Sequence, residues 1–313
     1  MLKSSYYHLR PFIPRIAQIA LRRMVINRKR ALCAGIWPID ENAGKPPEGF
    51  SGWPDKKKFA LVLTHDIETA KGLGKCHKLA KLDEEFGFKS SFSFVPKRYS
   101  VPPELRRQLV SKGFEVGVHG LYHDGKLYMS KKIFQSRAKE INAYIKEWEA
   151  KGFRSPSMHN KLEWIHELNI EYDSSTFDTD PFEPESKGMG TIFPFRVSKD
   201  SAGDKGYIEL PYTLPQDFTL FILMKEKNID IWKQKLDWIV KKGGMALVVA
   251  HPDYMNFGNL KLGIDEYPVD YYIDFLNYVK KEYKGQYWTA LPENIALFWR
   301  KNHLSSLPLQ KGD

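Results

Sequence analysis

The chain predicts an α/β fold, a closed or nearly closed β/α barrel behind a basic N-terminal helical arm, and three observations carry that reading. Short strand-like runs alternate with amphipathic helix-like segments from residue 58 onward. Seven or eight such units in roughly 240 residues suit a barrel better than an open doubly wound sheet, which is the alternative. Runs such as Phe59-Ala60-Leu61-Val62-Leu63 are continuously apolar, as buried parallel strands are.

In chain order, residues 1–57 form the arm and its connector, 58–303 the barrel and 304–313 a tail. From Pro14 to Arg30 a proline opens a predicted helix with Ile16, Ile19, Ala20 and Met24 on one side and basic residues crowding its end. That helix either lies on an anionic membrane surface or packs on the body with its basic end complementing its own dipole. Between Trp37 and Trp53, prolines and glycines without periodicity read as a connector, or a strap held by its aromatic ends. Strands are expected at 59–63, 90–95, 114–118, 152–155, 170–173, 207–210, 245–250 and 286–290. Helices are expected at 71–86, 103–112, 131–150, 229–242, 268–283 and 292–301, the clearest being 131–150 with Phe134, Ile141 and Ile145 in period. The stretch from Thr176 to Gly206, rich in Asp, Pro, Gly and Phe, reads as a long loop shaping one end.

Charge and cysteine content narrow the partners. The formal net charge is +10, yet residues 1–58 hold 12 Lys or Arg against 4 Asp or Glu, so the body is nearly neutral. No nucleic-acid-binding motif accompanies the charge, and nucleic acid is not an expected partner. Cys33 and Cys76 make no disulfide framework and no cysteine-built zinc site. The arm has no uninterrupted apolar core with a small-residue cleavage site, so the expected location is cytoplasmic, at the inner face of the membrane if residues 14–30 make peripheral contact there.

Three segments place metal-compatible or proton-transferring side chains just past an apolar run. Asp66 and Glu68 follow the first strand, and the turn after it is expected to bring both toward one cavity, one binding a metal and the other handling a proton. His119 and His123 form an H-x-x-x-H pair whose first member leaves at a strand end. Two imidazoles and one carboxylate leave a coordination position open to water. His251 follows Met245 to Ala250, on the rim that a parallel barrel uses for catalysis.

In that order and separation, Thr64-His65-Asp66-Ile67-Glu68, His119-Gly120-Leu121-Tyr122-His123, Arg154-Ser155-Pro156 and Val249-Ala250-His251-Pro252 resemble the polysaccharide deacetylase family, the NodB-homology or carbohydrate esterase four family. The resemblance spans about residues 58–255 and implies a distorted (β/α)7-type barrel that removes acetyl groups from N-acetylated sugars. It implies Asp66 as general base, Arg154 buttressing it, and His251 as general acid, oriented by Asp173 or, less well matched, Asp178. Glu68, His119 and His123 would hold a divalent metal ion, Zn2+ foremost, with Co2+, Ni2+ or Mn2+ as alternatives. Pro156 and Ser157 fall in the substrate-binding loop, with an oxyanion donor near Ser157, while Tyr122, Tyr254 and Phe257 are candidates to stack on sugar rings. The family pattern differs here in Ile67 intervening between the carboxylates, in glutamate as the ligand, and in Gly120 after His119.

The expected partner is an N-acetylated glycan, polysaccharide or lipid-linked. The rival readings are a C–N hydrolase of the same fold acting on a non-sugar amide and a non-catalytic glycan-binding protein.

Overall fold

The computed structural model describes residues 13–184, 187–199, 206–258 and 261–303, so residues 1–12 of the arm and the tail at 304–313 lie outside the described residues. Its centre is β1 (Phe59–Ile67), with all nine residues buried. Because its first five residues are apolar on both faces, the strand is stable only with cover on every side. Neighbours supply it: β8 (Met245–Ala250) along one edge, and along the other β11 (Tyr287–Thr289) for the lower half and β2 (Ser91–Phe94) for the upper.

From β2 the sheet continues in parallel through β3 (Glu115–His119), β4 (Gly152–Arg154), β5 (Tyr172–Asp173) and β7 (Gly206–Glu209), and ends at β6 (Phe195–Ser198), antiparallel to β7. A small separate sheet pairs β9 (Met255–Asn256) with β10 (Tyr267–Pro268). Past β7 the amides of Thr213 and Leu214 donate to Leu247 of β8 at 3.2 Å each, bringing the far side of the curled sheet back to its start. The result is a distorted β/α barrel, and its parallel strands deliver their C-terminal ends to one rim.

Helices cover the outside for the reasons the pattern gives. Lys131–Glu147 begins at Ser130, whose hydroxyl accepts from the Ile133 amide at 3.2 Å, and buries Phe134, Ala138, Ile141 and Ile145 on one stripe. Asp230–Lys242 ends at Gly243, whose left-handed φ of 75° lets the chain turn directly into β8. The helix expected at 71–86 is broken at Gly74 into Ala70–Leu73 and Cys76–Phe86. Among the elements not anticipated are β6, hidden in a stretch dominated by turn residues, and a π-helical turn at Phe218–Met224, an apolar run with no polar face to reveal its period.

The arm helix spans Arg15–Leu32 and packs on the body. It buries Ile19 and Ile26, while Arg23 donates to the Ile222 carbonyl at 2.9 and 2.7 Å and Arg30 pairs with Glu226 at 2.6 Å. Its apolar face is rotated from the expected one: Ile16 and Met24 are 63% and 51% exposed, and the inward stripe follows residues 15, 19, 22, 26 and 29 instead. The connector behaves as a strap, with Trp37 edge-on to Phe182 at 5.0 Å and Trp53 among Trp288, Phe298 and Trp299.

Candidate active site

The strand period of two places Thr64, Asp66 and the following Glu68 toward the barrel interior without any turn. His65 points the other way, its Nε2 3.0 Å from the buried Asp83 carboxylate, and stays out of the site. His119 ends β3, and Gly120 after it has φ 65° and runs so close to Pro156 that a Cβ would lie 2.5 Å from the proline ring. This left-handed turn sends Leu121 into the core and returns His123 to the cavity at φ 56°.

Glu68, His119 and His123 each offer a ligand atom within 4.8 Å of the others. Glu68 Oε1 lies 3.1 Å from His123 Nε2, yet that buried nitrogen has no hydrogen-bond partner, as befits an atom whose lone pair is reserved for an ion. His119 Nδ1 donates to the Arg154 carbonyl at 3.1 Å, leaving Nε2 as its ligand atom, and Glu68 Oε2 accepts from the Tyr254 hydroxyl. The donor set fits a three-ligand divalent metal site. Burial pushes the His119 imidazolium down to about 4, so the ring is neutral and able to ligate.

Asp66 lies beside this trio, its Oδ2 3.8 Å from His119 Nδ1 and its Oδ1 accepting from Arg154 Nη1 at 3.0 Å. The same Nη1 donates to Thr64 Oγ1, and the rest of the guanidinium is fixed by the Ser174 carbonyl and hydroxyl at 2.8 Å each. Burial raises the Asp66 carboxyl, but Arg154, aided by His119 and His251, outweighs it and holds the group below its ordinary value. Burial likewise opposes ionisation of Glu68, and His123 overcomes it, holding Glu68 well below the carboxylate range.

His251 faces the same cavity, but the carboxylate holding it is Asp217, not Asp173. Its Nδ1 lies 2.6 Å from Asp217 Oδ1, and the other Asp217 oxygen accepts from the His251 amide at 2.7 Å and from the Tyr267 hydroxyl at 2.9 Å. Burial alone would lower the imidazole pKa, and the Asp217 carboxylate reverses that, raising it to about 10. Asp173 is instead opposite Glu209 across β5 and β7, accepting from Ser175 Oγ at 2.7 Å. Burial pushes Asp173 up to about 6 and Glu209 well above its ordinary value, so the two carboxyls keep a proton between them. The pair props the Arg154 loop, because Ser175 Oγ accepts from the Ser155 amide at 2.8 Å. Asp178, the poorer match, pairs with buried Lys235.

The cavity measures about 300 Å³. Ser157 and Tyr254 line it, whereas Pro156 and Tyr122 belong to a smaller neighbouring hollow, where Lys97 and Arg137 lie over the Tyr122 ring. Tyr122 is therefore not a wall of the main cavity. Phe257 is half-buried packing. One whole wall was missed at the sequence level: the inward face of the arm helix, with Arg15, Arg22 and Lys29. Asp217 was missed too, although an aspartate just before an apolar run, here capping the Phe218 amide at 2.8 Å, is a readable helix-start signal.

No protein-family model and no curated protein sequence matches this chain. Solved structures do. A structure from Pseudomonas aeruginosa PAO1, provisionally named a polysaccharide deacetylase, aligns at TM-score 0.64 and 18% identity, covering 86% of this chain and 100% of its own. One from Mycobacterium smegmatis with the same provisional name aligns at 0.63 and 17%, covering 86% and 99%, and the Puue allantoinase at 0.64 and 17% with the same coverage. At these identities the likeness establishes the fold: this chain has the barrel of the polysaccharide deacetylase structures, the family its ordered motifs resemble.

Proposed function

We propose that the chain is a metal-dependent deacetylase that hydrolyses the acetamide of an N-acetylated sugar. The observation that carries this reading is the convergence on one cavity of the Glu68, His119 and His123 donor atoms with Asp66 and His251. Hydrolysis of an amide needs a base for the attacking water and an acid for the leaving amine, and the two must hold opposite protonation states at one pH. Asp66, kept ionised by Arg154, takes the proton of the attacking water. His251, kept protonated by Asp217, gives its proton to the departing nitrogen as the C–N bond breaks, yielding acetate and a free amine. A divalent ion, with zinc first in order, bound by Glu68, His119 and His123 would supply Lewis acidity for the water and the carbonyl. A backbone N–H near Ser157, which lines the cavity, is the remaining oxyanion donor.

Elemental analysis of the purified protein paired with an acetate-release screen over N-acetylated sugars tests the proposal. A bound stoichiometric metal together with acetate release is expected. Metal without turnover on any acetylated sugar would instead leave a glycan-binding protein. One observation favours a second reading, a C–N hydrolase of a non-sugar amide: the Puue allantoinase shares the fold as closely as the deacetylase structures do.

The arm supports a place at an anionic membrane surface on the cytoplasmic side. No helix among the described residues is long and apolar enough to cross a membrane. The arm helix, however, carries no acidic residue, and its outer face exposes Ile16, Leu21, Met24 and Leu32. Sedimentation with anionic vesicles, comparing the full chain with the Leu21→Ser/Met24→Ser variant, tests this contact; equal partitioning would remove it.

A further inference from the structure

The geometry points to a phosphoryl group on the substrate: the arm helix supplies an anion-binding wall that selects a single N-acyl sugar carrying a phosphate ester over a neutral polymer. This rests on the deacetylase reading and names the substrate class for the same cavity. Arg15, Arg22 and Lys29 recur at seven-residue intervals, two helical turns each, so one face of the helix presents three cations to the cavity. Ile19 and Ile26, 1% and 3% exposed on the same side, anchor that face to the barrel, so the cations are fixed to the cavity wall.

Two of the three are pre-positioned. The guanidinium carbons of Arg15 and Arg22 lie 5.3 and 5.0 Å from the centre of the Phe218 ring, which holds both planar groups at the cavity edge. Arg15 is also tethered by Asp265 at 3.3 Å, and Lys29 reaches the Pro181 carbonyl at 3.4 Å. Half-buried Arg22 makes its side-chain contact with the Phe218 ring and feels the nearby Glu183 carboxyl, which leaves its N–H donors open to a further acceptor in the cavity. Of the carboxylates lining the cavity, Asp66 is held by Arg154 and Glu68 by the Tyr254 hydroxyl, while Glu183, the one that Arg22 acts on, is hydrogen-bonded to Tyr212 and Gln216 and is raised by burial and by Asp180 to about 8. An exogenous oxyanion is the partner this wall lacks, and a guanidinium fork suits phosphate better than an ammonium would.

Distance and volume fix where that phosphate sits on the substrate. Phe218 lies 4.7 Å from the Tyr254 ring, whose hydroxyl donates to Glu68, so the cations stand one pair of rings away from the proposed metal ligands. A phosphoryl on the same sugar as the acetamide fits cations and ligands that share one small cavity. A cavity of about 300 Å³ walled by a helix is at the small end for ligand sites and accommodates one such unit, where a polymer would need an open groove.

The test uses the full chain with N-acetylglucosamine, a chitin oligomer, N-acetylglucosamine 1-phosphate, a nucleoside-diphosphate N-acetylhexosamine and a polyprenyl-diphosphate N-acetylhexosamine in detergent. Acetate release gives kcat/KM, and calorimetry gives binding of the sugar 1-phosphate. Charge-assisted hydrogen bonds predict a preference for phosphorylated over neutral sugar of about ten- to a hundred-fold, falling with salt. The Arg15→Gln/Arg22→Gln variant should lose most of that preference and bind the sugar 1-phosphate correspondingly weakly, with Arg22→Lys retaining part of it. Lys at position 22 keeps the charge, so it serves if the double variant unfolds by circular dichroism. The nucleotide and lipid arms then identify which phosphoryl carrier is used. Equal kcat/KM for neutral and phosphorylated sugars, unmoved by the arginine variants, would overturn the inference and leave deacetylation intact. Arginine-dependent binding of the 1-phosphate with no acetate from any substrate would overturn the deacetylase reading instead and leave the anion site standing.

Discussion

Asp217 grips His251 at two points, accepting at 2.6 Å from the ring and at 2.7 Å from the same residue's backbone amide. The carboxylate thus sets both where the imidazole points and how strongly it keeps its proton. The rate profile should be bell-shaped, with an acid limb at the depressed Asp66 pKa and an alkaline limb near the His251 value of about 10. Asp217→Asn removes the charge that opposes burial, so the alkaline limb should move downward by several pH units while the acid limb shifts little. A pH series of kcat/KM checks this. Because the folded pKa of His251 is raised above 6.5, its stabilising contribution is complete below about 6.5 and is lost as pH climbs through 10.

Asp173→Asn should behave differently, since its partner is Glu209 and not the catalytic ring. Neither limb of the profile should move. Asp173 has its folded pKa raised from 3.8 to about 6, so ionisation disfavours the folded state as pH rises through that window. The asparagine variant, spared that ionisation, should gain stability relative to the parent between pH 4 and pH 7 in denaturant titrations.

Asp66→Asn should keep the metal and lose turnover by about 100- to 10,000-fold, the usual size of a general-base contribution. Parallel metal analysis and single-turnover kinetics distinguish this from His119→Ala or His123→Ala, in which the ion itself should be lost. Full activity in Asp66→Asn would remove the assigned base.

Gly120→Ala should cost about 1–3 kcal/mol, because a non-glycine residue at φ 65° is strained and its Cβ would meet the Pro156 ring at 2.5 Å. The strain falls between the two histidines, so metal affinity should drop together with the melting temperature. A variant with normal metal affinity and stability would show that the loop can yield.

Much of this molecule is legible in its sequence because its strands are continuous apolar runs and its site residues stand at their ends, as with Asp66, His119 and His251. That rule also explains why Asp217 was missed. Asp173 took its role from the resemblance alone, while Asp217 follows a loop and precedes a buried run without period, and only the closure of the barrel brings it to His251. The arm was legible as a helix but not as a wall. Its apolar residues lie on two overlapping stripes, and which stripe turns inward depends on the π-helical turn that Arg23 caps at Ile222.

The arm helix has a practical corollary for anyone trimming the chain to its barrel. A fragment starting at Phe59 would retain Asp66, the three proposed metal ligands and His251 yet forfeit the side of the chamber built from Arg15, Arg22 and Lys29. Such a fragment could pass every assay for bound metal and still report the selectivity of an uncovered trough.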